Sequence, residues 1–187
     1  VYIKTRGLRI MTNEFVIAGF GGQGVLFMGK ALAYMGMAGD KNVSWLPSYG
    51  PEMRGGTANC HVIVSDDAVA SPLIINPTTL FAMNLPSLLK FQDTVVPGGY
   101  IVIDETLIDP KEITRKDVNV VAVPAAKLAE EMNAKKLANM ILLGAYIKKS
   151  GFVSYETMKN GIAKCMPKNK PQLFELNMSA MDKGYNL

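Results

Sequence analysis

Two glycine-rich blocks carry the residue types able to do chemistry in this chain. The first is Gly19-Phe20-Gly21-Gly22-Gln23-Gly24, and the second is Ser48-Tyr49-Gly50-Pro51-Glu52-Met53-Arg54-Gly55-Gly56. Glycines in the first block permit positive φ and close backbone approach, and the amides at a following helix N-terminus face any bound anion. In the second block, Arg54 offers a planar fork suited to a carboxylate or phosphate, and Glu52 could orient it beside Tyr49. The plainer reading of that pair is a local salt bridge stiffening a glycine-rich surface loop. Asn84, in Asn84-Leu85-Pro86-Ser87, either lines the same cleft or caps a helix.

The elements around the first block are those a phosphate-type loop needs. Phe15–Ala18 is a short apolar run, and helical periodicity starts at Val25, so strand, tight turn and helix follow in order. A dinucleotide fingerprint also requires an Asp or Glu about twenty residues past the last glycine, at the end of the second strand, to hold the ribose hydroxyls. Asn42–Leu46 reads as that strand and runs into Pro47-Ser48-Tyr49, while Asp40 precedes it. The missing acid argues against a nicotinamide or flavin site. A glycine turn that only packs helix on strand stays open.

The remaining titratable groups give little. Cys60 and Cys165 are far apart and form no CxxC pair, so no zinc or iron–sulfur centre is expected in this chain. His61, the single histidine, adjoins Cys60, but neighbours on a strand point to opposite faces and cannot act as nucleophile and base.

The chain has 187 residues, 49% of them hydrophobic, which suits one domain with a full core. No apolar run approaches the roughly twenty residues of a membrane span, and few cysteines with no secretory signal point to the cytoplasm. Residues 1–10 carry Lys4, Arg6 and Arg9 with no acid, and read as a leader or remnant, disordered or peripheral to a single domain over 11–187. Without them the net charge falls from +4 to +1, so the basic balance does not indicate nucleic acid. The four lysines of Lys159–Lys170 read as a solvated face.

Strands and helices alternate as in a three-layer, Rossmann-like α/β fold, with a mostly parallel sheet and helices on both faces. The expected helix Gln23–Met37 has Val25, Met28, Leu32 and Met35 on one stripe. Strands are expected at Ala58–Ser65, Thr79–Met83, Tyr100–Asp104 (after the turn Pro97-Gly98-Gly99) and Val118–Val123. Helices are expected over Ala125–Met132, Lys136–Lys149, Ser154–Cys165 with Ser154 as N-cap, and Asn169–Met181 before Gly184, making residues 125–187 a helical part.

The two glycine blocks, the run Trp45–Cys60 that contains the second, Ala82-Met83-Asn84 and Pro97-Gly98-Gly99 resemble the gamma subunit of 2-oxoacid:ferredoxin oxidoreductases, and domain III of pyruvate:ferredoxin oxidoreductase. The resemblance is strong from Phe15 to Ile108, looser beyond, and nearer the 2-oxoglutarate or branched-chain (2-oxoisovalerate) type than the pyruvate type. It implies a cytoplasmic complex in anaerobic metabolism that turns a 2-oxo acid, 2-oxoglutarate favoured, into acyl-CoA and carbon dioxide while reducing ferredoxin. Thiamine diphosphate, Mg2+ and [4Fe-4S] clusters would then sit in partner alpha, beta and ferredoxin-like delta subunits, with coenzyme A as co-substrate. This chain would hold no redox cofactor, be inactive alone, and touch neither nucleic acid nor membrane.

In that setting Gly19, Gly21, Gly22, Gln23 and Gly24 would form a cofactor or interface loop. Ser48, Tyr49, Glu52, Arg54, Gly55, Gly56 and Asn84 would contact substrate, coenzyme A or a neighbouring subunit, and no residue would be catalytic. The alternatives are a free-standing nucleotide-binding enzyme and a non-catalytic dimerising module. An isolated chain could also pair with itself through the surface its partners would cover.

Overall fold

In the computed structural model, residues 2–5, 8–48 and 57–187 are described, with the side chains of residues 1–10 and of Thr57 left aside. The strands are β1 (Tyr2–Thr5), β2 (Leu8–Phe20), β3 (Asn42–Ser48), β4 (Thr57–Ser65), β5 (Thr79–Ala82), β6 (Tyr100–Asp104) and β7 (Asn119–Val123). The helices are α1 (Val25–Ala38), α2 (Leu85–Phe91), α3 (Ala125–Glu131), α4 (Ala138–Ser150), α5 (Tyr155–Cys165) and α6 (Pro171–Tyr185). The sheet order is β3-β4-β2-β5-β6-β7, with β1 turned back on the start of β2.

β2, β5, β6 and β7 run parallel, and this half of the sheet is as expected. Both of its faces are covered, which explains why its strands read as continuous apolar runs: Phe15–Ala18 and every residue of β5 are buried. The other half is an antiparallel hairpin. β4 lies between β2 and β3 and opposes both, so the sheet is mixed. The link from Ser48 to Thr57 is too short for a helical crossover, and a chain that turns back directly must pair antiparallel. β3 itself remains parallel to β2, because α1 carries the chain across.

On one face, Phe15, Ile17, Phe81 and Val102 meet α1 and α4, with α5 and α6 forming an outer layer against those helices. Tyr146 of α4 anchors this core. Its ring is edge-on to Phe15, Phe81 and Tyr100 at 5.9, 5.1 and 5.5 Å between centroids. The opposite face is thinner: Val16, Leu80, Ile101 and Ile103 are covered by Leu88 of α2 and by Ile74 from the segment linking β4 to β5.

Two of the six α-helices, α2 and α5, open on a side-chain cap. The Ser154 hydroxyl accepts from the Thr157 N–H at 3.1 Å and opens α5, as its type predicts. α6 runs on through Gly184 instead of ending before it. A Cβ at Gly184 would run into the Ile141 carbonyl oxygen of α4, so this glycine is a close helix–helix contact and not a stop. α2 is an element the periodicity did not single out, because seven residues give too little pattern to read.

Candidate functional site

The carboxyl ends of β2, β3 and β5 meet the start of β4 at one edge of the sheet. Phe20 pairs with Thr57 and Ser48 with Asn59, so Thr57 and Ser48 stand at the same edge of the sheet as the Gly19–Gly24 turn. This is the edge where open α/β sheets collect ligands. Ser48 is exposed at the end of β3. Tyr49, Glu52, Arg54, Gly55 and Gly56 lie outside the described residues.

The turn is held from within. The Phe20 N–H donates to Gln23 Oε1 at 2.7 Å, and Gln23 Nε2 donates to the Met83 carbonyl at 2.7 Å, so one side chain ties the turn to the end of β5. Gly19 is required by that arrangement: a Cβ there would stand 2.7 Å from both Gln23 Oε1 and Met83 Cβ. Gly21 is half-buried, and Gly22, at φ +99°, is exposed with open space around it. Gly24 opens α1 in the left-handed region at φ +77°, where an L side chain is strained.

Asn84 is a helix cap that also reaches the glycine turn. Its Oδ1 accepts from the Ser87 N–H at 2.9 Å and caps α2, while its Nδ2 points toward Gln23 Oε1 at 3.4 Å. It is 6% exposed and forms the wall of the turn.

One residue of the site went unread in the sequence. Asn139, in the first turn of α4 and 2% exposed, donates from Nδ2 to the Gly24 carbonyl at 3.1 Å and fills the space where a Gly24 Cβ would lie. No local pattern marks it, because the partners are 115 residues apart.

These groups are amides, a hydroxyl and backbone, which bind and orient but do not exchange protons near neutral pH. The candidate nucleophile and base are elsewhere and separated. Cys60 packs against α1 with its Sγ toward the Val25 carbonyl at 3.6 Å, and burial pushes its thiol up to about 12. His61 faces the other side of the sheet, where Nδ1 accepts from the Ile74 N–H at 3.1 Å. Burial lowers its pKa, so it stays neutral in that bond. Among the described residues no three His, Cys, Asp or Glu side chains come together as a metal site, and no helix is long and apolar enough to cross a membrane.

Comparison with known proteins places this geometry. The profile of the family described as pyruvate ferredoxin/flavodoxin oxidoreductase matches residues 14–187. The 2-oxoglutarate synthase subunit KorC of Methanocaldococcus jannaschii is 32% identical over 95% of this chain and 94% of its own length. The ketoisovalerate oxidoreductase subunit VorA of Methanothermobacter thermautotrophicus is 43% identical over 68% of this chain, which spans only 26% of that protein. Among solved structures, the gamma subunit of keto/oxoacid ferredoxin oxidoreductase from Geobacter sulfurreducens superposes with a TM-score of 0.77 at 26% identity, covering 93% of this chain and 96% of that one. The 2-oxoglutarate:ferredoxin oxidoreductase of Magnetococcus marinus, solved with 2-oxoglutarate, coenzyme A and succinyl-CoA bound, gives 0.80 at 25% identity, covering 94% of this chain and 30% of that one. Sequence and fold agree over nearly the whole chain, and the chain belongs to the pyruvate ferredoxin/flavodoxin oxidoreductase family.

Proposed function

We propose that this chain is the gamma subunit of a 2-oxoacid:ferredoxin oxidoreductase and supports the coenzyme A dependent oxidative decarboxylation of a 2-oxo acid, 2-oxoglutarate above the others. The observation that carries this reading is the nearly full-length match to a 2-oxoglutarate synthase subunit and to a gamma subunit of the same enzyme class. The Magnetococcus marinus relative supports the choice of substrate and of coenzyme A as acyl acceptor. The complex works in the cytoplasm with alpha, beta and ferredoxin-like delta subunits and passes electrons to ferredoxin.

Thiamine diphosphate with Mg2+ and [4Fe-4S] clusters belong, in this reading, to the partner subunits, where they supply decarboxylation and single-electron transfer. The donor set here supports that assignment: Cys60 and Cys165 are both buried and free, each with its pKa raised by burial, and no acidic or histidine cluster accompanies them among the described residues.

The work of this chain is positional. The turn of Gly19, Gly21, Gly22, Gln23 and Gly24 presents a fixed shape, since the Gln23 amide is spent on the chain's own backbone. Beside it, the segment bearing Tyr49, Glu52, Arg54, Gly55 and Gly56 acts as a contact with substrate or coenzyme A and helps exclude water from the reacting groups. Arg54 receives a substrate carboxylate or a coenzyme A phosphate, with Ser48 and Asn84 framing the contact.

Two experiments test this. Anaerobic affinity purification of the chain from its native cells should recover thiamine-binding and ferredoxin-like partners and an activity that reduces a viologen dye only with a 2-oxo acid and coenzyme A. Recovery of the chain alone, without that activity, would sink the subunit reading and favour a free-standing nucleotide-binding protein. Within an intact complex, Arg54→Ala should raise the KM for the 2-oxo acid or for coenzyme A about tenfold, the scale of one charge-assisted hydrogen bond. If neither KM moves, Arg54 has no such role.

A further inference from the structure

α1 is apolar on more sides than the chain itself covers. Its inward stripe, Val25, Met28, Leu32 and Met35, is buried in the core. The outward positions Leu26, Lys30, Tyr34 and Met37 recur at i, i+4, i+8 and i+11, so they share one face. A helix that meets water on such a face carries charged and polar residues there. This one carries leucine, tyrosine and methionine, with Met37 46% exposed and Leu26, Lys30 and Tyr34 half-buried. Lys30 is the single charged residue of the helix.

The surface continues onto the sheet. β3 is the last strand on this side, and among the described residues β4 is its only partner, which leaves an edge of unpaired backbone groups. Charged side chains usually guard such an edge; Asn42–Ser48 has none, and Pro47 is its only guard. Trp45 packs beside α1, where a Cβ on Gly29 would come 3.1 Å from its Nε1, and is still 40% exposed. Aromatic residues and methionine are the types enriched where protein surfaces meet.

Lys30 decides what kind of surface fits. Its ammonium stands 5.7 Å from the Tyr34 ring centroid, within this apolar face, and covering it without a carboxylate would leave a desolvated charge unpaired. Neither α1 nor β3 contains an Asp or Glu. Two copies joined about a two-fold axis through this face would bring Lys30 and its symmetry mate together with no acid from either element. A different protein can supply one.

We propose that the outward face of α1, with Trp45 and the edge of β3, docks a partner subunit whose apolar surface places a carboxylate opposite Lys30. The inference rests on the subunit reading above and adds to it the face of this chain that the assembly covers. Because α1 begins at the glycine turn, a partner seated on this face also borders that turn.

The test is anaerobic affinity purification of the tagged full chain from its native cells, with the thiamine-binding partner identified and its amount relative to the tagged chain measured by mass spectrometry. Tyr34→Lys combined with Met37→Lys should lower recovery of that partner at least tenfold. Lys30→Glu should do the same, while Lys30→Arg stays within twofold of the unmodified chain. Leu73→Lys with Ile75→Lys, on the segment covering the opposite face of the sheet, should also stay within twofold. Circular dichroism and the melting temperature of each purified variant separate lost docking from lost folding, and if the double variant does not fold, Lys30→Glu against Lys30→Arg decides alone. Unchanged recovery with either folded α1 variant, or an equal loss with the Leu73 and Ile75 pair, overturns the proposal and leaves the subunit reading standing. An unmodified chain that emerges alone overturns both. A dimer of the isolated chain that the α1 substitutions convert to monomer would assign the face to a second copy and overturn the proposal as well.

Discussion

Gln23 shows how one side chain can decide what a glycine turn is for. Its amide accepts from Phe20 and donates to Met83, so the turn is closed by the protein's own atoms. Gln23→Ala should leave a backbone donor and a backbone acceptor without their partner and cost about 1–3 kcal/mol, read as a lower urea midpoint with an unchanged slope. Asn139→Ala should cost a similar amount, about 1–3 kcal/mol, by freeing the Gly24 carbonyl and opening a void beside it. At Cys60 the expectation concerns reactivity. A thiol pushed up to about 12 and fully buried should resist maleimides at pH 7 in the native chain and react only when urea unfolds it. The strand, turn and helix around Gly19–Gly24 were legible in the sequence because they are local. Asn139 was not, because its contact exists only once α4 has been brought to the start of α1.

Elements are placed here by close approach as much as by apolar stripes. Gly161 of α5 lies against α1, and a Cβ added to it would stand 2.6 Å from the Met35 Cα, a backbone atom that cannot swing aside. Gly161→Ala should push the two helices apart and destabilise the chain by about 1–3 kcal/mol despite the better helix propensity of alanine; thermal unfolding would check it. The sequence places most helices within a few residues, because caps such as Ser154 and stripes such as Val25, Met28, Leu32 and Met35 are local signals. It is silent on strand direction. Alternating strands and helices suggest a mostly parallel sheet, and only the short return from β3 sets β4 antiparallel between β2 and β3.

For the molecule as a whole, pH acts on the thinner face of the sheet. His61 holds the segment between β4 and β5 through Ile74, and does so as a neutral acceptor. Its pKa lies below the ordinary 6.5, so between that lower value and 6.5 the unfolded chain binds more protons than the folded one. The stability from this contact is therefore present above about pH 6.5 and lost as pH falls toward the depressed value. His61→Gln keeps an acceptor that does not titrate, and its melting temperature should fall less between pH 7 and pH 5 than that of the unmodified chain. An equal fall in both would show that His61 does not govern the acid limb. The exposed aliphatic side chains Leu73 and Ile75 flank Ile74, so the same bond fixes how that segment is displayed.

What the sequence determined by itself was whatever depends on near neighbours: the strand, turn and helix around Gly19–Gly24, the helix caps, the apolar strands of a doubly covered sheet, and the motif runs that resemble one family. Tertiary structure decided what depends on distant partners. It brought Asn84 and Asn139 to the glycine turn, tied that turn to the end of β5 through Gln23, and set Cys60 and His61 on opposite faces. The division has a physical cause: periodicity and capping are written within a few residues, whereas the burial and hydrogen bonding of a side chain depend on which elements the fold packs around it.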